Sequence, residues 1–366
     1  MNTQRLSWLA HLSAWLGSLS LIAVLCFHFP EQLTSRDFRA LYSEAFARHL
    51  LLAGLVAAFV LGTLAVLRGR NRRVALLGVG SATVAVLLGG IDVQVNDIGQ
   101  TPWSLGLDWF VVSLLFSALV FIPLERALGR IAQSPLRPGW RTDVAYFFVS
   151  HVLVQFILIT VTAWTTQVAA LAAFPALRTA IQSLPVWLQF VMAVLCADLA
   201  QATLHRGYHR IGWLWRFHAV HHSSRHIDWL AGSRMHLLEI VLTRGMVLLP
   251  LVVLGFSQGA INAYVILVGV QAVLAHANLG LRFGWLEYLL VLPRYHHWHH
   301  ARSTHYVDAN YAIHLPLVDM LMGTFRLPRD GRWPDEYGLL DPDSVPEGIV
   351  RQHLAPFRRG KPPGAG

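Results

Sequence analysis

Charge is scarce in this chain. Only 13% of its 366 residues are Asp, Glu, Lys or Arg, about half the share of an average soluble domain, while 55% are hydrophobic. That excludes an ordinary water-soluble globule and points to a membrane protein. Cysteine is nearly missing: Cys26 and Cys196 are the two present, both inside apolar runs. A disulfide framework or a Cys-based zinc site is therefore excluded, and both read as small core side chains. The HExxH helix of zinc proteases does not occur, nor does the paired ExxH of Glu-rich di-iron bundles. No cleavable signal peptide is evident, because a small-residue cleavage site is wanting after the first apolar run and further spans follow it.

What the chain has instead is length of apolar sequence. Crossing a bilayer takes roughly 20 helical residues. Eight runs approach this: Trp8–Phe27, Leu50–Leu67, Val74–Ile91, Asp108–Leu124, Val144–Leu171, Pro185–Ala202, Leu237–Phe256 and Ile261–His276. The net charge of +9 does not signal nucleic acid, because the arginines sit in alternate loops. Arg68, Arg70, Arg72 and Arg73 follow the second run, Asp92–Gly106 has no Lys or Arg, and the next loop carries Arg126, Arg130, Arg137 and Arg141. Such loops orient a membrane protein by staying inside. Counted from a cytoplasmic N-terminus, the segment after Pro185–Ala202 and the C-terminal tail are then expected inside as well.

Histidine is concentrated. Of nineteen, fourteen lie between His205 and His314. "HRGYH" places His205 and His209 four apart; "HAVHH" places His218, His221 and His222 at i, i+3, i+4; "HHWHH" repeats that pattern with His296, His299 and His300. On a helix, residues three and four apart share a face, so each motif is expected to aim two or three imidazoles at one point. Neutral imidazole is a common metal ligand. One HxxxH could be chance in such a chain, but two HxxHH boxes with HxxxH before them outweigh the bland alternative of a polar or pH-sensing cap. Eight motif histidines exceed the four ligands of a zinc ion and suit two metals a short distance apart. Nitrogen ligation alone fits iron, copper, nickel or zinc.

With these pieces in order, the chain resembles the fatty acid hydroxylase/sterol desaturase superfamily of integral membrane oxygenases. The resemblance runs from about Trp140 to Phe325. It includes Asp198 seven residues before His205, then HxxxH, "WRFHAVHHS", "HANL" at His276, "PRYHHWHHA", "DANYA" at Asp308–Ala312 and "VDMLMGTF" at Val318–Phe325. It implies a non-haem centre of two iron ions on the cytosolic side, with O2 as co-substrate, and hydroxylation or desaturation of a sterol, fatty acyl or related lipid. The implied ligands are His205, His209, His218, His221, His222, His276, His296, His299 and His300; His276 comes from the resemblance alone. Two positions depart from the pattern. Some relatives carry a further histidine where Gly280 stands, and many have proline after the histidine where Leu237 follows His236.

Ligating histidines usually give their other N–H to a carboxylate or carbonyl. Asp198, on the helical face of His205 and His209 near the inner end of a span, is expected to orient a ligand. Its replacement by Ala is expected to lower metal occupancy without unfolding the protein. His236, Asp308 and Asn310 are further supports, with Asp228, Glu239, Asp319 and Tyr311 behind them. His226, His297, His305 and His314 read as bystanders or outer donors.

The expected fold is an all-α polytopic membrane bundle with a cytosolic histidine-rich helical cap holding a di-metal site. It divides into an N-terminal extension of about three spans (1–100), a catalytic membrane domain (101–325) and a cytosolic tail (326–366) whose end, "RRGKPPGAG", is expected to be disordered. Some relatives carry a fused cytochrome b5 domain with an HPGG motif, which this sequence does not contain. An external electron donor is therefore implied, such as a ferredoxin or cytochrome with its reductase. The composition suggests a bacterial inner membrane. The alternative reading is a non-catalytic membrane protein that binds metal, or haem between paired histidines.

Overall fold

The computed structural model describes residues 7–34, 39, 42–68, 71–95, 106–153 and 175–358. Among them all regular structure is helical, and the extended pairings are two isolated antiparallel bridges, Gly129 with Leu279 and Ala301 with Tyr337. The all-α expectation holds. Five helices are long and apolar enough to cross a bilayer: Leu9–His28, Glu44–Leu67, Leu107–Leu128, Val186–Arg210 and Gln258–His276. The chain is an integral membrane protein.

Two of the eight expected spans are shorter than their apolar runs. Val74–Ile91 yields the 16-residue helix Arg72–Leu87, about 24 Å long at 1.5 Å per residue. It stops there because Gly89 and Gly90 turn the backbone to φ +111° and +53°. Leu237–Phe256 yields 17 residues, Leu237–Val253. Most of Val144–Leu171 lies outside the described residues, as do residues 359–366 of the tail.

The chain forms two compact units, Met1–Leu115 and Phe116–Gly366. In the first, α1 (Ser7–His28), α2 (Glu44–Leu67) and α3 (Arg72–Leu87) pack on one another. They approach through residues with almost no side chain. A Cβ on Gly17 would overlap the Gly78 carbonyl, and one on Gly78 would overlap the Ser13 backbone. Ser13 Oγ donates to the Ala58 carbonyl at 2.7 Å, a small-residue seam of the kind that joins helices in lipid.

Helix α4 (Leu107–Leu128) ends in the second unit, which also contains α5 (Val186–Arg210), α6 (Gly212–His218), α7 (Leu237–Val253), α8 (Gln258–His276), α9 (Pro293–His299), α10 (Pro316–Met322) and α11 (Ile349–Leu354). Helices α5, α7 and α8 share an apolar core that includes Ala193, Ala197, Val247, Leu251, Ile261 and Val268. A second core, built on Tyr295, Trp298, Tyr311 and Val318, lies beneath the histidine-rich helix α9. The C-terminal ends of α5 and α8 and the N-terminal end of α7 thereby carry chemistry to one place. The tail packs on this assembly: Trp298 Nε1 donates to the Arg332 carbonyl at 3.2 Å, and Arg216 to the Arg358 carbonyl at 2.8 Å.

Candidate metal centre

All nine histidines expected as ligands come together, in two groups. His205, His209, His218, His222 and His299 form one; His221, His276, His296 and His300 form the other. Within each, one ring nitrogen per residue lies within 4.8 Å of all the rest. The groups adjoin, with the rings of His222 and His300 stacked at 4.4 Å between centroids.

The boxes do not each serve one point, which corrects the expectation from spacing. In both, the i and i+4 histidines share a group and the i+3 histidine joins the other: His218 and His222 against His221, His296 and His300 against His299. On an α-helix, i+3 and i+4 are separated by about 100° around the axis, enough to face two neighbouring centres. In the first box the chain also leaves the α-helix at His218 and carries His221 and His222 in a tighter turn.

Outward hydrogen bonds fix which nitrogen of each ring faces inward. A backbone carbonyl only accepts, so a ring nitrogen bonded to one carries the proton. His205 Nδ1 donates to the Tyr311 carbonyl at 2.8 Å, His299 Nδ1 to Ala309 at 2.7 Å, His276 Nδ1 to Ala272 at 2.8 Å and His221 Nδ1 to Arg234 at 3.1 Å. His218 Nδ1 donates to the Glu239 carboxylate at 2.6 Å. Each of these five rings is left with a bare Nε2 lone pair. Yet Nε2 of His205 stands 3.0 Å from Nε2 of His218, and Nε2 of His276 stands 3.4 Å from that of His221. No hydrogen is available between either pair. Lone pairs converging at such distances are suited to holding a cation. His299 Nε2 is likewise buried without a hydrogen-bond partner.

Burial, with the neighbouring imidazoles next, holds His218, His221, His222, His296, His299 and His300 well below the usual histidine range. The rings are thus neutral at physiological pH, as ligands must be. The donor set fits two metal ions, one with five imidazoles and one with four. Gly280 bears on that inequality: a Cβ there would lie 3.2 Å from the Arg130 Cα, so a further ligand at this position would have to displace the backbone of the preceding segment.

The supporting residues differ from expectation. Asp198 touches no imidazole. Its carboxylate accepts the backbone N–H groups of Ile313, His314 and Leu315 at 2.9, 3.1 and 2.7 Å, and so fixes the segment whose Tyr311 carbonyl holds His205. Asp319 does the same next door, accepting Tyr311 N–H at 2.8 Å and Ala312 N–H at 2.6 Å. His236 lies away from both groups: its Nδ1 caps α7 by accepting the Leu238 N–H at 3.1 Å, and its Nε2 donates to the His353 carbonyl. Asp308 accepts the Tyr311 hydroxyl at 3.2 Å and pairs with Arg210. Asn310, buried at φ +62°, ties its loop to Arg326 through bonds of 2.8 Å in both directions.

The carboxylate that does meet a ligand is Glu239, at the start of α7. Two other residues escaped sequence reasoning. Arg137 is no free loop charge but is buried between Asp143 and Asp228; Asp143 also binds Arg234, whose carbonyl holds His221. Gly232 leaves room for a ligand, since a Cβ there would lie 2.6 Å from His276 Nδ1. No local pattern in the sequence marks either.

The fatty acid hydroxylase family model matches residues 190–324, which contain all nine histidines. The superfamily resemblance is therefore borne out. Over 262 residues the chain is 28% identical to ornithine lipid hydroxylase OlsE of Rhizobium tropici, covering 69% of this chain and 76% of that protein. It is 30% identical over 170 residues to alkylglycerol monooxygenase of Homo sapiens, covering 44% of this chain and 35% of the relative. It is also 30% identical over 173 residues to very-long-chain aldehyde decarbonylase GL1-1 of Oryza sativa subsp. japonica, covering 43% and 27%. The chain thus spans only about a third of the last two. No solved structure matches. The family and its named relatives are oxidative lipid-modifying enzymes.

Proposed function

We propose that this protein is a membrane-bound, O2-dependent oxidoreductase that holds two iron ions in its histidine groups and hydroxylates a lipid. The observation that carries this reading is the convergence of bare, buried imidazole nitrogens beside a cavity of about 90 Å³, lined by His205, His218, His221, His276 and His296. When bound, two irons supply the reduction of O2 and the oxidant for an unactivated C–H bond, chemistry that side chains lack. The chain's own residues hold the ligands in one tautomer, keep water from them by burial, and leave one side open toward the apolar helices α7 and α8. The names of the hydroxylase and monooxygenase relatives favour oxygen insertion over desaturation.

Per turnover, one C–H bond and O2, with two electrons and two protons, give C–OH and water. The electrons come from a separate carrier, a ferredoxin or cytochrome with its reductase. In this reading the histidine groups and the C-terminus lie at the cytoplasmic face of a bacterial inner membrane, an orientation that the alternate arginine-rich loops support. Haem is disfavoured, because histidine rings packed 4.3–5.5 Å apart leave no room for a porphyrin between them.

The test is comparative lipid mass spectrometry on aerated cells expressing wild type or His299→Ala, with iron analysis of both proteins. A lipid one oxygen heavier, found only with wild type, is expected, and its fragments name the substrate. A lipid two hydrogens lighter would replace hydroxylation by desaturation. Identical profiles together with iron-free wild-type protein would overturn the proposal.

A further inference from the structure

The cavity beside the histidines holds a cation that no described residue pairs with. Arg244 lies midway along α7, facing the cavity, and forms no hydrogen bond or ion pair with any described residue. It stands five residues beyond Glu239, about 7.5 Å along the helix axis, so one helix supports a ligand with the first side chain and presents a cation to the same space with the second. An arginine in the middle of an apolar helix is costly unless it is paired.

Neither of the two carboxylates Glu239 and Asp198 pairs with it. Glu239 gives Oε1 to His218 and keeps Oε2 buried without a hydrogen-bond partner, but it forms no ion pair with Arg244, and both oxygens of Asp198 are taken by three backbone amides. His314, also in the lining, adds no charge. The Gln271 amide nitrogen donates to two carbonyls, so its oxygen accepts the His314 Nδ1 proton at 2.6 Å, and His314 Nε2 is left a buried, unpartnered lone pair. The hydroxyl of Tyr264, whose ring packs edge-on against His314 at 5.5 Å, is also buried without a partner. The cavity therefore presents a guanidinium that no described residue pairs with.

We propose that Arg244 binds an anionic group of the lipid substrate, a carboxylate or a phosphate, and so positions the carbon to be oxidised beside the histidine groups. This rests on the reading of the cavity as the substrate site. It deepens that reading from a lipid to an anionic lipid. Guanidinium is suited to the role because its fork of N–H donors matches both oxyanions in a way an ammonium does not.

The test separates binding from turnover. Full-length protein purified with its metal in dodecyl maltoside is titrated with tritiated palmitate, using hexadecanol, hexadecyl phosphate and dioleoylphosphatidylcholine as competitors. Wild type is expected to prefer palmitate or hexadecyl phosphate over hexadecanol by about tenfold or more, the size of a charge-assisted contact. Whichever of the two anions competes better names the headgroup chemistry. Arg244→Gln is expected to lose the preference and Arg244→Lys to keep part of it, both with wild-type metal content.

Equal competition by hexadecanol in wild type would overturn the proposal, as would an undiminished preference in Arg244→Gln. Competition by phosphatidylcholine as strong as by the anions would also overturn it, because Arg244 would then hold ordinary bilayer phosphate. None of these outcomes depends on turnover. A failure here with iron present and lipid oxidised leaves the proposed activity standing, whereas iron-free, inactive protein that still prefers anions refutes only the activity.

Discussion

In Met1–Leu115 the helices meet through Ser13, Gly17, Gly62 and Gly78, small residues that let the backbones come close, with one hydrogen bond from Ser13 to the Ala58 carbonyl. Phe116–Gly366 has apolar cores as well, but around its histidine groups the interior is filled by imidazoles, arginines and carboxylates, nearly all buried. The first arrangement needs no partner beyond the neighbouring backbone. The second is unstable as a set of isolated groups, because a buried polar atom without a partner costs free energy. Five of the nine rings are held from behind by a carbonyl or carboxylate, and the inward-facing nitrogens are arranged as a cation would need them. A helical membrane protein can thus devote one unit to packing alone and place its chemistry in another.

The sharpest way to break that comparison is to remove one inward nitrogen from each group. His299 and His296 are neighbours in one box but belong to different groups. His299→Ala and His296→Ala are each expected to reduce lipid oxidation to background and to lower bound metal from two toward one ion per chain, as read by elemental analysis of the purified proteins. If either variant keeps both ions, the assignment of its histidine is wrong. A loss of both ions in each variant would mean that the two groups load together.

A smaller effect is expected from Asp198→Ala. The structure revises the expectation of a purely local defect. Three backbone amides, one of them fully buried, lose their acceptor, each worth up to about 1–3 kcal/mol, and the Tyr311 carbonyl behind His205 loses its support. Melting temperature and metal occupancy should therefore fall together, with Asp198→Asn intermediate because it keeps one acceptor oxygen. Full melting temperature with lost metal would show instead that Asp198 acts on an imidazole directly.

Much of this site was legible because metal ligands need a fixed residue type at helical spacing. Eight of the nine histidines follow from spacing, and the ninth, His276, from family resemblance. Their division between groups was not legible. It depends on where α6 ends, beside a core that includes Trp215, Ala219 and Val220, and on how α9 is rotated by the packing of Tyr295 and Trp298. The support of the ligands was legible only as a class. A carboxylate behind an imidazole was expected, but Glu239 reaches His218 through the approach of α7 to α6, which nothing within either segment encodes. Arg137 was read as a loop charge because composition cannot tell a cytosolic arginine from one enclosed by Asp143 and Asp228. In the fold, the apolar runs located the helices, while their ends followed turn-forming residues such as Gly89 and Gly90 that interrupt an otherwise apolar stretch.

The smallest expected effect at the site comes from the other unit. Gly78→Leu puts a branched side chain where even a Cβ would overlap the Ser13 backbone and its hydroxyl. Helices α1 and α3 must then move apart. Overpacking of this kind costs about 1–3 kcal/mol, occasionally more, and should appear as faster proteolysis within residues 7–95 and a lower melting temperature. Metal content and the lipid product are expected to stay at wild-type values, because no residue before Phe116 belongs to either histidine group. A parallel loss of metal would break the division of labour drawn above. It would mean that the small-residue seam transmits its packing to the histidines, and that the N-terminal helices are part of how the site is held.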